Sequence, residues 1–238
     1  MGRMSCALVI PALNEEGAIG EVVGGFAALL RSEGEPWLDE IVVADNGSVD
    51  ATAEVARRAG ASVVPAPQRG YGNACIAGLA HLAARRGGPP DVVAFADGDG
   101  ANVPEELPDL LRPLERGEAE LVIGSRVRRG DDDALTLPQR FGNRFATLLF
   151  RRLYGVVATD LGPFRAIRWG ILVGLGMNDR DYGWTMEMQV KAAKAGVRTV
   201  EVDVSNKART AGQSKVSGTV RGVVGAGYKI LRTLVVYR

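Results

Sequence analysis

The sequence predicts one α/β domain with a mostly parallel, wound sheet and helices on both of its faces. Short apolar runs alternate with amphipathic segments five times, at the spacing of βαβ units. Glycines and polar residues follow these runs directly, where ligands bind in wound sheets. A length of 238 residues suits one such domain, which we expect to occupy residues 1–210.

Six strands are predicted from short runs that end in turn signals. Four of them are apolar throughout, and 61–64 is apolar apart from Ser62; these five read as buried strands of a parallel sheet. The sixth alternates polar and apolar residues, as a half-exposed strand does. In chain order the strands cover residues 7–10, 41–44, 61–64, 92–96, 121–124 and 199–204.

Helices are predicted wherever apolar residues recur at the helical period between these strands. Acidic residues open the first helix, Asp50 caps the second, and a proline begins the fourth. The six helices start at residues 14, 51, 74, 104, 139 and 182.

Net charge, cysteine count and the lack of long apolar stretches indicate which binding partners and which cellular compartment to expect. The formal net charge is +1, so nothing global indicates binding to nucleic acid. The only two cysteines, Cys6 and Cys75, indicate free thiols in a reducing compartment. No stretch of 18 apolar residues and no signal-peptide pattern occur, so we expect a cytoplasmic protein without a spanning helix.

The C-terminal segment is basic. Seven Lys or Arg and no Asp or Glu follow Val204, and residues 211–238 fit an amphipathic helix. Such a helix either packs on its own domain, or lies on the face of a membrane and contacts a lipid substrate.

The fourth strand runs into Asp97-Gly98-Asp99. Two carboxylates this close repel each other unless a positive group lies beside them. A divalent cation that carries a diphosphate would supply that charge. The alternative is an Asp-Gly turn that its own side chains cap.

Three other strand ends carry residues suited to the same ligand: Asn14-Glu15, Asp45-Asn46 and Arg69-Gly70-Tyr71-Gly72. Asp45 or Asn46 can bind the edge of a base, and a glycine-flanked turn lets backbone amides approach phosphate. Each stretch alone is typical of an ordinary turn. Four at one edge of a sheet predict a nucleotide site.

Other nucleotide and catalytic motifs are missing. The sequence has no P-loop, and the Gly70-Tyr71-Gly72 turn lacks the third glycine of a dinucleotide fingerprint. His81 is the only histidine, which leaves little for His-based metal sites or Ser-His-Asp triads.

Taken in order, the motifs resemble family 2 glycosyltransferases of GT-A fold, and more narrowly the polyprenyl-phosphate sugar transferases related to dolichol-phosphate mannose synthase. The matching segments span nearly the whole chain. They are residues 9–16, 43–50, 97–99, 124–126 and 160–165, then Glu187, and finally Arg209 with Gly212, Ser214 and Lys215.

The resemblance implies roles for these residues. Asp99, assisted by Asp97, would bind Mg²⁺ or Mn²⁺, and Arg126 would hold phosphate oxygens. If the acceptor is a hydroxyl, Asp160 or Glu187 would take its proton, although Glu187 also suits a purely structural role. The implied nucleotide-sugar contacts are Pro11, Leu13, Asn14, Glu15, Asp45, Asn46, Arg69, Gly70, Gly72, Asp97, Gly98, Arg209 and Lys215.

The implied reaction is inverting transfer of a hexose from a donor such as GDP-mannose or UDP-glucose to a polyprenyl phosphate. Transfer to a hydroxyl acceptor, a sugar nucleotidyltransferase and a non-catalytic nucleotide-sugar binder are the alternatives. Four positions depart from the family pattern and leave the donor open: Asn46, Tyr71, Ala101 and Pro163.

Overall fold

The structure, a computed structural model, describes residues 3–127, 137–155 and 158–207, with the isolated positions 232 and 236. The side chains of 137–142 are outside the description. Two expected phosphate-binding residues, Arg209 and Lys215, lie outside the described residues, as does nearly all of the predicted helix over 211–238.

The described residues form one sheet of seven strands, in the spatial order β3-β2-β1-β4-β6-β5-β7. All neighbouring strands are parallel except β6, which runs antiparallel to both β4 and β5. The predicted fold class is therefore confirmed. The strands are β1 Cys6–Ala12, β2 Glu40–Asp45, β3 Ser62–Pro65, β4 Val92–Phe95, β5 Leu121–Ser125, β6 Arg165–Arg168 and β7 Thr199–Asp203.

The antiparallel strand β6 is the one that the sequence did not predict. Its four residues begin and end with arginine, so they form no apolar run. The buried Arg165 occupies a sheet position that a periodicity argument assigns to an apolar residue. A helix, Trp169–Leu175, follows β6 without a turn and was not predicted either.

The six predicted helices are present, together with this seventh. The first begins at Ile19 rather than at Asn14, because Asn14 adopts the left-handed conformation with φ of 52°. The helices are α1 Ile19–Ala27, α2 Thr52–Arg58, α3 Tyr71–Ala83, α4 Leu107–Glu115, α5 Leu137–Tyr154, α6 Trp169–Leu175 and α7 Trp184–Lys194, with a 3-10 turn at Pro104–Glu106.

Apolar cores cover both faces of the sheet. On one face Leu8 and Ile10 of β1 pack in a cluster with residues of α1, α2 and α4. On the other face Val9 packs in a cluster with residues of α3, α6 and α7. Successive residues of a strand point to opposite faces, so the uninterrupted apolar run of β1 serves both cores. Helix α5 lies outside this layer and packs on α7.

None of the helices within the described ranges has both the length and the hydropathy that crossing a bilayer requires.

We expect Gly162→Ala to lower the free energy of unfolding by about 1–3 kcal/mol, through forced overpacking. A Cβ at this position would lie 2.0 Å from the carbonyl oxygen of Gly124 in β5. The melting temperature should fall by about 2–4 °C per kcal/mol. The matched control is Gly174→Ala in α6, where nothing lies within 4 Å and the variant should gain about 0.5–1 kcal/mol. Equal melting temperatures for the two variants would contradict this contact.

Candidate active site

A cavity of about 570 Å³ opens at the edge of the sheet where β1, β2, β4 and β5 end. Ten residues expected at a nucleotide-sugar or catalytic site line it: Pro11, Leu13, Glu15, Asn46, Arg69, Gly70, Asp97, Gly98, Asp99 and Arg126. Residues that were not among the expected nucleotide-sugar contacts or catalytic groups complete the lining: Ala12, Tyr71, Ala74, Leu161, Pro163, Asp181, Tyr182 and Thr185.

Five expected site residues are among the described residues but not in the cavity lining: Asn14, Asp45, Gly72, Asp160 and Glu187. Each of them instead contacts or supports a neighbouring loop. The structure therefore separates the expected set into residues that face the cavity and residues that hold its walls.

The turn after β4 positions the two central carboxylates. The Asp97 N–H donates to Asn102 Oδ1 at 2.8 Å, and the Ala101 N–H donates to Asp99 Oδ1 at 3.0 Å. Asp99 is nearly buried at the base of the cavity. The capped turn that the sequence offered as the alternative is thus present, and its carboxylates still face the cavity.

The donor set at this turn fits a divalent cation. No cluster of three His, Cys, Asp or Glu suited to a metal occurs within the described ranges. Mg²⁺ in phosphate-transferring sites is held by one or two carboxylates together with substrate phosphates and water. Asp97 and Asp99 match that pattern, so the bound diphosphate would have to supply further ligands.

Two buried residues near the site, Tyr71 and Arg165, have shifted pKa values. Burial, and then the charge of Asp97, raise the pKa of Tyr71 well above its usual value, so the phenol stays protonated. Its hydroxyl lies 3.4 Å from Asp97 Oδ1. Burial lowers the pKa of Arg165 to about 10, which leaves this guanidinium charged at neutral pH. Tyr71 lies in the glycine turn and Arg165 in the 160–165 segment, both of which were identified as motifs in the sequence. The spacing of these motifs along the chain does not predict which residues they contact.

An ion pair between Arg126 and Asp160 forms the next wall. Arg126 Nε lies 2.7 Å from Asp160 Oδ2, and its Nη2 lies 2.8 Å from Oδ1. The Arg126 N–H also donates to Oδ2 at 3.0 Å. Burial by itself would raise the pKa of Asp160, but the bonds and charge of Arg126 hold it below its usual value. Asp160 is fully buried and ionised, whereas Arg126 lines the cavity.

Polar side chains clamp the segment that contains Asp160. Ser125 Oγ and Thr159 Oγ1 are 2.7 Å apart, and Glu201 accepts both the Thr159 N–H and its hydroxyl at 2.7 Å. Asn143 of α5 bonds the Thr159 carbonyl and the Leu161 N–H, each at 3.1 Å. The apolar wall at Leu161 is therefore held in place from β5, β7 and α5.

Gly70 and Gly72 allow two backbones to approach closely. A Cβ at Gly70 would lie 2.1 Å from the Arg180 carbonyl oxygen, and one at Gly72 would lie 2.1 Å from that of Asp179. The Asn73 N–H donates to the Arg180 carbonyl at 3.0 Å. The sequence suggested that these glycines admit a phosphate, but the structure gives them a packing role against the loop between α6 and α7.

Asn46 holds the chain that leads into this glycine turn. Its Nδ2 donates to the carbonyls of Ala66 at 2.9 Å and Gln68 at 2.7 Å, and its Oδ1 accepts the Gly70 N–H at 2.8 Å. A carboxylate could not make the two donations, which explains why asparagine suits this position. Both amide hydrogens of Asn46 are used in these bonds, and recognition of a base by Asn46 would require them.

Asp45 and Asn14 organise the turns beside the cavity. Asp45 Oδ1 accepts the Ser48 N–H at 3.1 Å, which is the simple turn that the sequence offered as an alternative. Asn14 Oδ1 accepts the Val49 N–H at 2.9 Å, and the Asn14 N–H donates to Ser48 Oγ at 2.9 Å. The loops after β1 and β2 are thereby joined.

Residues 7–174 match the family model described as glycosyl transferase family 2, which is well over half of the chain. The chain belongs to glycosyl transferase family 2. An uncharacterized glycosyltransferase of Mycobacterium tuberculosis is 39% identical over 226 residues, covering 94% of this chain and 95% of that protein. The undecaprenyl-phosphate mannosyltransferase of Micrococcus luteus is 31% identical over 233 residues, covering 93% and 90%.

Solved structures agree with the fold of this glycosyltransferase. Glucosyl-3-phosphoglycerate synthase of Mycobacterium tuberculosis, solved with Mn²⁺, UDP-glucose and phosphoglyceric acid, is 25% identical with a TM-score of 0.72. The match covers 98% of this chain and 79% of that one. The predicted GT-A fold and the predicted glycosyltransferase class are both confirmed.

We expect Asp160→Asn to lower the free energy of unfolding by about 3 kcal/mol at pH 7, because it leaves Arg126 without its charge partner. The folded-state pKa of Asp160 lies below its ordinary value of 3.8, so the wild-type advantage is present above pH 3.8. It should shrink as the pH falls through the folded-state pKa.

Urea unfolding of both proteins between pH 7 and pH 3 checks this expectation. The control is Asp109→Asn, which breaks an exposed pair with Arg112 and should cost less than about 1 kcal/mol. A difference that stays constant down to pH 3 would show that the charge of Asp160 is not the cause.

Proposed function

We propose that this glycosyltransferase transfers a hexose, with inversion, from a nucleotide sugar to a polyprenyl phosphate. The observation that carries the proposal is the placement of Asp160 and Glu187. Both are fully buried, and neither belongs to the described cavity lining. The two bases that the sequence offered for a hydroxyl acceptor therefore do not border the cavity, whereas a phosphate acceptor is already an anionic nucleophile at neutral pH and needs no base.

In the proposed step an oxygen of the lipid phosphate attacks the anomeric carbon of the sugar. The new carbon–oxygen bond forms as the bond to the donor diphosphate breaks, and a nucleoside diphosphate leaves. Attack from the side opposite the leaving group inverts the anomeric configuration. No proton has to move, so the chain contributes mainly by positioning and by charge.

The donor side is assigned to the β4 turn and its surroundings. Asp97 and Asp99 would hold Mg²⁺ or Mn²⁺, which neutralises the leaving diphosphate when bound. Pro11, Glu15 and Arg69 line the same cavity and would contact the nucleotide. A solved complex of the phosphoglycerate synthase with Mn²⁺ and UDP-glucose supports a metal-bound nucleotide-sugar donor.

The acceptor side is assigned to Arg126 and the apolar wall beside it. Arg126 would bind the lipid phosphate through the guanidinium edge that Asp160 does not occupy. Leu161 and Pro163 line the cavity and suit the first isoprene units. The Micrococcus luteus mannosyltransferase and the dodecaprenyl-phosphate galacturonate synthase of Rhizobium johnstonii, by their names, act with polyprenyl phosphates.

Transfer to a hydroxyl acceptor is the second candidate. The solved synthase complex contains phosphoglyceric acid together with UDP-glucose, which supports this second candidate. Asp181 lines the cavity and would be the base that this reaction requires. Membership of the family favours sugar transfer over the nucleotidyltransferase alternative. Membrane contact by residues 211–238 and a cytoplasmic location remain predictions.

A transfer assay separates the two acceptors. Purified protein with Mn²⁺ and labelled UDP-glucose or GDP-mannose should move label into the organic phase when undecaprenyl phosphate in detergent is added. Undecaprenol, which lacks the phosphate, is the matched control and should accept no label. Label that enters 3-phosphoglycerate and never the lipid would overturn the lipid acceptor.

We expect Asp99→Asn to reduce turnover by about 10²–10³-fold, because a ligand that supports charge on the leaving group is lost. Titration of Mn²⁺ against initial rate measures the effect, and the exposed Asp109→Asn variant is the control. A melting temperature near that of the wild type shows that the fold is intact. Wild-type rates in a folded Asp99→Asn variant would contradict the assigned metal site.

A further inference from the structure

We propose that Glu187 is a positioning residue of this reaction, which fixes the loop of residues 176–183 between α6 and α7. The inference rests on the proposed function for its kinetic consequence, but the contacts that carry it are structural. Through this loop Glu187 would set both the glycine turn on the donor side and the part of the cavity lining that Asp181 and Tyr182 form.

The carboxylate of Glu187 accepts hydrogen bonds from the loop backbone. The Asn178 N–H lies 2.9 Å from Oε1 and 3.1 Å from Oε2, and the Asp179 N–H lies 2.7 Å from Oε2. Glu187 belongs to the first turn of α7, so it connects the loop to the helix that follows it. Charge-assisted bonds of this kind are roughly twice as strong as neutral ones.

Lys191 fixes the same arrangement one helical turn later. Its Nζ lies 2.7 Å from Glu187 Oε1 and donates to the Gly176 carbonyl at 2.5 Å. The lysine therefore compensates the buried charge and also binds Gly176, which caps the C-terminus of α6. Both ends of this part of the loop are attached to α7.

The far side of the loop packs against the glycine turn. The Arg180 carbonyl accepts the Asn73 N–H at 3.0 Å, and the Asp179 and Arg180 carbonyls occupy the space above Gly72 and Gly70. A displacement of the loop would release the start of α3 and the adjoining chain that carries Arg69.

The next residues of the loop face the cavity. Asp181 and Tyr182 line it, followed by Thr185 at the start of α7. Asp179 Oδ1 accepts the N–H groups of Asp181 at 2.8 Å and Gly183 at 3.1 Å, which closes the loop on itself. Fixing residues 178 and 179 therefore also fixes these cavity-lining side chains.

A positioning role and a proton-accepting role predict different kinetics. Glu187 is fully buried and lies outside the described cavity lining, so it is not placed to take a proton from a bound acceptor. Loss of a positioning contact weakens binding of the group that the loop borders. Loss of a general base slows turnover by about 10²–10⁴-fold and alters the dependence of rate on pH.

The test compares Glu187→Gln with Glu120→Gln. In the first variant an NH₂ group replaces one acceptor oxygen and opposes a backbone N–H of the loop. Glu120 is the matched control because its carboxylate accepts the Arg198 N–H at 3.0 Å, at the start of β7 and outside the cavity lining. Hydrogen exchange of the peptide over 176–183 and steady-state kinetics at pH 6–9 are the readouts.

We expect Glu187→Gln to speed exchange in this peptide and to raise KM for the nucleotide sugar, whose side of the cavity the glycine turn forms, by about 10-fold. The turnover rate should change by less than about 3-fold, and the pH profile should keep its shape. Glu120→Gln should leave all of these readouts unchanged. If Glu187→Gln does not fold, Lys191→Met tests the same loop, and we expect the same directions of change.

Two outcomes would overturn the proposal. A turnover rate that falls by about 100-fold or more, with a changed pH profile and unaltered exchange, would make Glu187 a catalytic base. Wild-type exchange and wild-type KM together would remove any role for it. The exchange measurement needs no acceptor, so a failure of the lipid-phosphate assignment in the transfer assay leaves this test intact.

Discussion

The bidentate ion pair of Arg126 with the buried Asp160 is the interaction on which the site depends. The pair places the guanidinium of Arg126 in the cavity wall, whereas the carboxylate of Asp160 is buried away from solvent. A buried carboxylate is costly unless it is paired and hydrogen-bonded, and here the backbone N–H of Arg126 adds a third bond. Neighbouring side chains hydrogen-bond to the segment from Thr159 to Leu161. The ion pair and these bonds together hold the wall of the cavity at Leu161 in place.

Close approach between backbones is the second constraint. Gly70, Gly72 and Gly162 each lie where a Cβ would overlap a carbonyl oxygen. The contacts join the α3 turn to the α6–α7 loop, and the segment before β6 to β5. A Cβ at any of these positions would push the two contacting backbones apart. The role of the glycines is steric, and it does not depend on which phosphate or sugar is bound.

The carboxylates of the site divide into two groups with different tasks. Asp97 and Asp99 border the cavity, where a cation and a diphosphate would compensate their charge. Asp160, Glu187 and Glu201 instead accept backbone or guanidinium hydrogens and hold loops in place. A negative charge held by several donors is a strong anchor, which explains why acidic residues surround a site that we propose for an anionic donor.

The sequence by itself determined the wound sheet, six of its seven strands and most of the residues that border the cavity. Period-two and helical patterns report burial, and turn residues mark strand ends, so these features are local in sequence. The strand β6 was not predicted, because the arginines at its ends obscure the apolar pattern. The start of α1 was predicted at the wrong residue, because Asn14 hydrogen-bonds to a turn that is distant in sequence. Only the tertiary structure decided which acidic residues face the cavity. Asp99 and Asp160 are the same residue type, but Asp160 is paired with Arg126, which follows strand β5. Spacing along the chain carries no information about such a pairing.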